Sequence, residues 1–231
     1  MSNTNEYSQM AKNTVSSKGQ MKFGESIFVD NNDGKGKRVL FVGNSITLHD
    51  ARESLGWHNF CGMAASTPEN DYVHIIKNKV SRNDADAAFC VCQASVWERS
   101  YKDEEPYKIY EPARDFNADI IIMRVIENCN SAEFDADIFY CAYKEFISYL
   151  NKSGNAKVIL TTGFWKHPGD ETIKIVANEL AYPCVYLGNL GEDDSMKAIG
   201  LFEHAGVAAH PGDAGMRAIA DRIWDEMKIH F

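Results

Sequence analysis

The sequence predicts an α/β protein: a three-layer α/β/α sandwich around a five-stranded parallel sheet. Short, continuously apolar runs alternate along the chain with longer stretches in which apolar residues recur every three or four positions. Runs without polar alternation are typical of strands buried on both faces, and the longer spacing is typical of helices with one apolar face. Strands that alternate with helices are joined by right-handed crossovers, which place a parallel sheet between two helical layers.

Five apolar runs are the candidate strands. In chain order they cover residues 38–42, 87–92, 119–125, 157–161 and 184–187. Helical spacing links the apolar residues of 72–80, 138–150, 173–180 and 216–227, and Asp213 stands where a cap of the last helix is expected. Ligands of such sheets bind beyond the carboxyl ends of the strands, so we expect function in the loops that follow them.

Two segments divide the 231 residues. Residues 1–36 are polar and predict a loose N-terminal lead-in, in which the apolar residues 27–29 could add one edge strand. Residues 37–231 carry the alternating pattern without a repeat or a low-complexity tract. At roughly 150 residues per domain, and with 45% hydrophobic residues, they predict one domain with one sizeable core.

Composition and charge narrow the classes of partner. Lys and Arg number 24 against 33 Asp and Glu, which gives a net charge of −9 and a pI near 5.3. Such a chain repels polyanions and anionic lipid surfaces, so we expect no nucleic-acid or membrane partner and favour a small neutral or cationic one. The chain shows neither a membrane-spanning run nor a secretory signal, and its six cysteines show no disulfide or zinc pattern. This favours the cytoplasm, with all six thiols free and buried.

The loop after the first predicted strand contains a candidate nucleophile. It reads Gly43-Asn44-Ser45-Ile46-Thr47, and a serine at the end of a buried strand can present its hydroxyl at the active edge of the sheet. The alternative is that these residues only form and cap a turn.

A serine needs a base to accept its proton, and histidine is the usual one. His167 and His210 each open a His-Pro-Gly-Asp tetrapeptide. His210 ends a long connection, 188–210, which is the length required to reach back to Ser45 from a distant strand. The alternative is a residue that only fixes the entry into the last helix.

Four blocks, in this order, resemble the SGNH (GDSL-like) hydrolase family. The segment 43–47 is similar to the block that opens these enzymes, and Ala209-His210-Pro211 with Gly215 is similar to the block that closes them. Gly62 stands where the family's oxyanion glycine is expected, and Asn128 stands where its oxyanion asparagine is expected. The resemblance spans residues 38–228.

The resemblance implies a flavodoxin-like strand order and a serine esterase that needs no metal or organic cofactor. Ser45 would be the nucleophile and His210 the general base. The N–H groups of Ser45 and Gly62, with the side chain of Asn128, would stabilise the oxyanion. The expected substrate is a small-molecule O-acyl ester, with a carbohydrate O-acetyl group as the leading candidate, and the oligomeric state stays open.

Two positions depart from the family pattern. Val207 stands where an aspartate would orient His210, so Glu203, a backbone carbonyl or no group at all takes that place. Ile126 replaces a glycine in the third block. The alternative function is therefore a catalytically decayed binding or scaffolding protein on the same fold. A phosphate-binding loop is a weaker alternative, because Gly43 stands alone and no lysine follows it.

Residues near the strand ends are candidates for a substrate pocket. Asn44, Glu127 and Trp165 come first, and the aromatic rings of Trp57, Trp97 and Phe164 are further candidates for its walls. The simpler alternatives are an ion pair of Glu127 with Arg124 and packing of Trp165 over the end of the sheet.

Overall fold

The computed structural model describes residues 27–231 and shows a sheet with helices on both faces. Its strands are β1 (Ile27–Asp30), β2 (Arg38–Gly43), β3 (Ala88–Gln93), β4 (Ile120–Arg124), β5 (Lys157–Thr161) and β6 (Cys184–Val185). The predicted α/β class is confirmed, and the five predicted strands are β2 to β6. Residues 1–26, the greater part of the predicted lead-in, lie outside the described residues.

The sheet order is β1-β3-β2-β4-β5-β6. Strands β2 to β6 are parallel, and counted among themselves they follow the expected order 2-1-3-4-5. The strand number and the purely parallel character differ from the prediction, and the last strand, predicted over residues 184–187, is shorter. The apolar patch at residues 27–29 forms β1, which pairs antiparallel with β3 and makes the sheet six-stranded and mixed.

Seven α-helices cover the two faces of the sheet within residues 27–231. They are α1 (Tyr72–Asn83), α2 (Ser95–Ser100), α3 (Glu111–Asp115), α4 (Ala136–Leu150), α5 (Asp170–Leu180), α6 (Ala205–Ala208) and α7 (Asp213–Met227). Single 3-10 turns occur at Glu53–Leu55, Pro68–Asn70, Lys108–Tyr110, Ser131–Glu133, Leu190–Glu192, Asp194–Met196 and Lys228–His230.

The first N–H groups of a helix have no acceptor within the helix, and side-chain oxygens can accept their hydrogen bonds instead. The Asp71 carboxylate accepts the His74 N–H at 2.7 Å at the start of α1. The predicted cap of the last helix is wrong: Asp213 is its first helical residue, and Gly212 holds the cap position. The Asp213 carboxylate instead accepts the backbone N–H of Ser66 at 2.8 Å, and this ties α7 to the loop before α1.

Successive residues of each strand point to opposite layers. Along β2, Val39 and Phe41 pack with α1 and α7, whereas Leu40 and Val42 pack with α4 and α5. This alternation produces two apolar cores, one on each face of the sheet. The loops at the carboxyl ends of the strands are left between the two helical layers.

The sequence predicts six free, buried thiols and no membrane-spanning segment, and the structure bears on both expectations. All six cysteines are free, as expected, but the prediction that all are buried is wrong: Cys141 is exposed and Cys184 is half-buried. Cys141 lies on the outer side of α4, which faces away from the core. Across residues 27–231 we find no helix with the length and apolar character that a membrane crossing requires.

Candidate active site

Ser45 is presented by the tight turn that follows β2. The N–H groups of Thr47 and Leu48 both donate to the Asn44 carbonyl, at 2.8 and 2.9 Å. A Cβ on Gly43 would lie 1.9 Å from the Thr47 Oγ1 atom, so the turn can close only on a glycine. The turn directs Asn44 into the protein and leaves Ser45 half-buried at the carboxyl edge of the sheet.

His210 approaches Ser45 from the loop between α6 and α7. The Ser45 Oγ atom lies 2.8 Å from His210 Nε2, which is hydrogen-bond distance. His210 Nδ1 lies 2.6 Å from the carbonyl oxygen of Gly206. Because a carbonyl can only accept, Nδ1 carries the proton and Nε2 is left as the acceptor for the Ser45 hydroxyl.

The partner of His210 corrects one sequence prediction. Glu203 is exposed and lines a separate hollow, so it does not complete a triad. The group in its place is the carbonyl of Gly206, and an unspecified backbone carbonyl is one of the alternatives that the sequence leaves open. The single turn of α6 places this carbonyl beneath the ring four residues later, whereas the Val207 side chain is buried in the apolar core.

The surroundings of His210 favour its neutral form. Burial, which removes water from the ring, lowers the pKa of His210 from 6.5 to about 4, although the hydrogen bond to Gly206 acts in the opposite direction. The indole of Trp165 stands edge-on to the imidazole, with ring centroids 5.2 Å apart at 84°. Trp165 is half-buried, and it is the one predicted pocket aromatic that contacts His210.

The three expected oxyanion donors have different surroundings. The Ser45 N–H has no hydrogen-bond acceptor among residues 27–231, so it is available to a ligand. The Gly62 N–H donates to the buried Asp71 carboxylate at 2.9 Å, which conflicts with the oxyanion role expected of it. The Asn128 amide donates to Glu98 Oε2 at 2.6 Å, and its second hydrogen has no acceptor within the described chain.

Beneath the Ser45 turn lies a buried polar network that holds two of the predicted pocket residues. Asn44 Nδ2 donates to Glu98 Oε1 at 2.9 Å and to Glu127 Oε2 at 2.6 Å, while Asn44 Oδ1 accepts from Arg124. Arg124 and Glu127 form an ion pair at 2.5 Å, with side chains 1% and 5% exposed. Asn44 and Glu127 are therefore supports under the site and not pocket walls, which corrects their predicted role.

Glu98 is a fully buried carboxylate that the sequence reasoning missed. It accepts from Asn44, from Asn128 and from the backbone N–H of Ile126, the last at 2.5 Å. Burial, with the nearby charge of Glu127, raises the pKa of Glu98 from 4.5 to about 7. Burial also acts to raise the pKa of Glu127, but the Arg124 charge and the hydrogen bonds bring that pKa below its usual value.

An open cavity of about 370 Å³ lies over Ser45 and His210. Its lining is formed by Ser45, His49, Arg52, Leu55, Met63, Gln93, Ser95, Arg99, Asn128, His204, Gly206, Val207 and His210. Trp57, Trp97 and Phe164 are fully buried in the cores, and Trp165 packs against His210 without lining the cavity, so the predicted role of these rings as pocket walls is wrong. Within the part of the chain that the structure describes, no cluster of His, Cys, Asp and Glu side chains could hold a metal ion.

Comparisons with known proteins place this geometry on a known fold. No family model matches the sequence, and no curated protein matches it. The structure is similar to the esterase EstA from Pseudoalteromonas sp., with 9% identity and a TM-score of 0.56 over 83% of this chain and 97% of that one. It is similar to a family two carbohydrate esterase from Cellvibrio japonicus, with 16% identity and a TM-score of 0.56 over 84% and 61% of the chains.

A third similar structure is that of a protein of the G-D-S-L family from Desulfitobacterium hafniense DCB-2. It shares 14% identity and a TM-score of 0.50 over 81% of this chain and 97% of that one. This chain spans less than two thirds of the carbohydrate esterase. At these identities the likeness concerns the fold, and it is the fold that the motif resemblance implied.

Several residues of the site carried little signal in the sequence. Glu98 lies in a short helix directly after β3. Its position just beyond the carboxyl end of a strand is the one sequence feature that points to a place near the site. Arg52 and Arg99 come from a loop and from α2, and only the folded chain brings them to one cavity. The second candidate base, His167, lies elsewhere: its Nε2 atom is 3.0 Å from the Cys129 carbonyl oxygen.

Proposed function

We propose that this protein is a serine esterase that cleaves a small O-acyl ester through an acyl group on Ser45. The observation that carries the proposal is the contact of 2.8 Å between Ser45 Oγ and His210 Nε2, with the opposite ring nitrogen held by the Gly206 carbonyl. A hydroxyl bonded to an oriented, neutral imidazole is the arrangement that nucleophilic catalysis requires.

In the first half-reaction Ser45 Oγ attacks the ester carbonyl carbon while its proton moves to Nε2 of His210. The bond between the acyl carbon and the alcohol oxygen then breaks, and that oxygen takes the proton from Nε2. In the second half-reaction a water molecule gives its proton to Nε2 and attacks the acyl carbon. Ser45 recovers this proton as the free acid leaves.

The negative charge of each tetrahedral intermediate needs donors at its oxygen. The Ser45 N–H and the free amide hydrogen of Asn128 are the donors that this site offers. One donor of this kind is worth about 100- to 1000-fold in rate. The Gly206 carbonyl accepts a hydrogen bond from the Nδ1–H of His210 throughout, so the imidazolium is stabilised by a carbonyl dipole and not by a carboxylate charge.

The acyl group that we propose is small, and an acetyl group on a carbohydrate is the leading candidate. The cavity of about 370 Å³ is within the range of small-molecule sites. The likeness to a carbohydrate esterase supports the same candidate. The free thiols are compatible with the cytoplasm, which we keep as the proposed compartment.

Hydrolysis of p-nitrophenyl acetate by the purified protein tests this proposal. We expect turnover by the natural chain and a loss of about a thousandfold or more in kcat for Ser45→Ala. Ser148→Ala is the matched control, because Ser148 is exposed on α4 away from the cavity. A fluorophosphonate should add its mass to the natural chain and leave Ser45→Ala unmodified.

Two results would count against the proposal. Unchanged activity in Ser45→Ala would remove Ser45 from the mechanism. A natural chain that neither turns over a small ester nor reacts with the fluorophosphonate would favour the alternative, a binding or scaffolding protein with the same fold.

A further inference from the structure

The cavity over Ser45 has a lining whose charge is opposite to that of the whole protein. The chain carries a net charge of −9, yet the lining includes the guanidinium groups of Arg52 and Arg99 and no Asp or Glu. Three histidines, His49, His204 and His210, also line the cavity. The permanent charges of the lining are therefore those of Arg52 and Arg99, and both are positive.

Arg99 stands beside the candidate oxyanion donor. Its Nη1 atom lies 3.3 Å from Ser95 Oγ, and its Nη2 atom lies 3.4 Å from Asn128 Oδ1. Both contacts are long and reach neutral groups. In residues 27–231 Arg99 forms no ion pair, so its charge is unmatched by any carboxylate of the described chain.

Arg52 lies in the loop that follows the Ser45 turn and is anchored by its backbone. Its N–H donates to the Trp57 carbonyl at 2.6 Å, within a short antiparallel stretch that also pairs His49 with Cys61. Its guanidinium has no hydrogen bond or ion pair within the described residues. The nearby Arg52 charge acts to lower the pKa of Asp50, against the larger effect of burial, but Asp50 does not line the cavity.

We propose that Arg52 and Arg99 form an anion-binding subsite, and that the ester this protein cleaves carries a carboxylate or a phosphate on its alcohol part. The inference rests on the proposed esterase function. Because the proposed acyl group is small and uncharged, the anionic group belongs to the alcohol. A guanidinium offers paired N–H donors that match the oxygens of both groups, and two such residues line this one cavity.

The acidic residues nearby leave this subsite intact. Glu53 and Glu203 line a separate hollow beyond Leu55 and His204. Glu98 and Glu127 lie beneath the floor and do not line the cavity, and Glu127 is paired with Arg124. None of these carboxylates is placed to neutralise Arg52 or Arg99.

A matched pair of esters tests the proposal. The carboxylate 4-acetoxybenzoate and the neutral 4-acetoxybenzamide differ in charge and share the same acetyl group and ring. We expect kcat/KM to be at least about tenfold higher for the carboxylate, and this ratio to fall about tenfold in the Arg52→Gln, Arg99→Gln double variant. A third ester, 4-acetoxyphenyl phosphate, shows whether a carboxylate or a phosphate is preferred.

The Arg82→Gln variant is the control, because it changes the net charge by one at the exposed end of α1, away from the cavity. It should leave the ratio unchanged. Binding of 4-hydroxybenzoate and 4-hydroxybenzamide to Ser45→Ala, measured by calorimetry, tests the subsite without turnover. Equal binding of the two phenols, or equal kcat/KM for the two esters, would overturn the subsite and leave the esterase function standing. Loss of turnover for every ester, with preferential binding of the anion, would overturn the esterase function and not the subsite.

Discussion

Asn128 is held in the site by Glu98: its side-chain amide donates to Glu98 Oε2 at 2.6 Å, and the other carboxylate oxygen accepts from Asn44 and Ile126. Glu98 therefore joins the turn that presents Ser45 to the loop that presents Asn128. It touches neither the cavity nor the reacting atoms, so its role is that of a positioning residue.

The variant Glu98→Gln tests this role. Every group that contacts the Glu98 carboxylate is an N–H donor. In the variant an NH₂ group, which is itself a donor, replaces one carboxylate oxygen. At least one buried hydrogen bond is therefore lost, and its donor is left without an acceptor. We expect the free energy of unfolding to fall by about 1–3 kcal/mol. We expect kcat to fall by about 10- to 100-fold with KM little changed, because a displaced donor acts on the transition state. Steady-state kinetics and urea unfolding measure the two effects.

Glu145→Gln is the matched control, since Glu145 is exposed on α4 and should change neither quantity. A normal kcat in Glu98→Gln, with only the stability lowered, would reduce Glu98 to a purely structural group.

Glu203→Gln should be nearly silent. Because the Gly206 carbonyl, and not Glu203, accepts the hydrogen bond from His210 Nδ1, removal of the Glu203 charge leaves the base oriented. We expect kcat/KM on a neutral ester to stay within about twofold of the natural value. A tenfold loss measured under the same conditions would mean that Glu203 reaches His210 during turnover.

The pH profile of kcat/KM should extend further into acid than that of an ordinary histidine base. The free base is required, and burial lowers the pKa of His210 to about 4. At pH 5.5 most of His210 is still the free base, so we expect kcat/KM to remain high there. We expect the acid limb of the profile to lie near pH 4. Glu98, with a pKa of about 7, and His49, whose pKa burial lowers, also titrate near the site, so the profile of the Glu98→Gln, His49→Gln double variant isolates the His210 limb. An acid limb near pH 6.5 in that variant would contradict the geometry.

The same two groups change the stability of the fold in opposite directions. For His210 the unfolded chain binds the proton more tightly, so its contribution is full above pH 6.5 and is lost as the pH falls towards 4. For Glu98 the folded chain binds the proton more tightly, so stability is lost as the pH rises from 4.5 through about 7. Between pH 4.5 and 6.5 the two contributions oppose each other in the natural chain, so the urea midpoint of Glu98→Gln should rise with pH more steeply than that of the natural chain.

Close packing requires a glycine at position 62, whose N–H donates to Asp71. A Cβ at this position would lie 2.5 Å from the Ile46 carbonyl oxygen and 3.0 Å from the Asp71 Cβ. We expect Gly62→Ala to lower the free energy of unfolding by about 1–3 kcal/mol, as overpacking does. Gly188→Ala is the control, because its Cβ would meet only the movable Tyr186 ring at 3.2 Å. Equal denaturation midpoints for the two variants would rule out this clash.

The sequence allowed the sheet and the central pair of the site to be predicted, because both leave local patterns. A buried strand that ends at Gly43 and a histidine before an amphipathic helix are such patterns, and the structure brings Ser45 and His210 together. The partner of His210 left no pattern, since the Gly206 carbonyl is a backbone group that every residue possesses. Trp57 and Trp97 were misplaced because burial in a core and exposure in a pocket favour the same residue type.

The antiparallel strand β1 has a consequence for the behaviour of the protein in concentrated solution. Its four residues occupy the hydrogen-bonding edge of β3, and Asp30 at its end forms an ion pair with Lys77 at 2.8 Å. A shortened chain that starts at residue 37 would keep every residue of the site but leave the β3 edge open to strands of other molecules. Ile27–Asp30 thus covers the edge of β3, and a chain without these residues is expected to self-associate more readily.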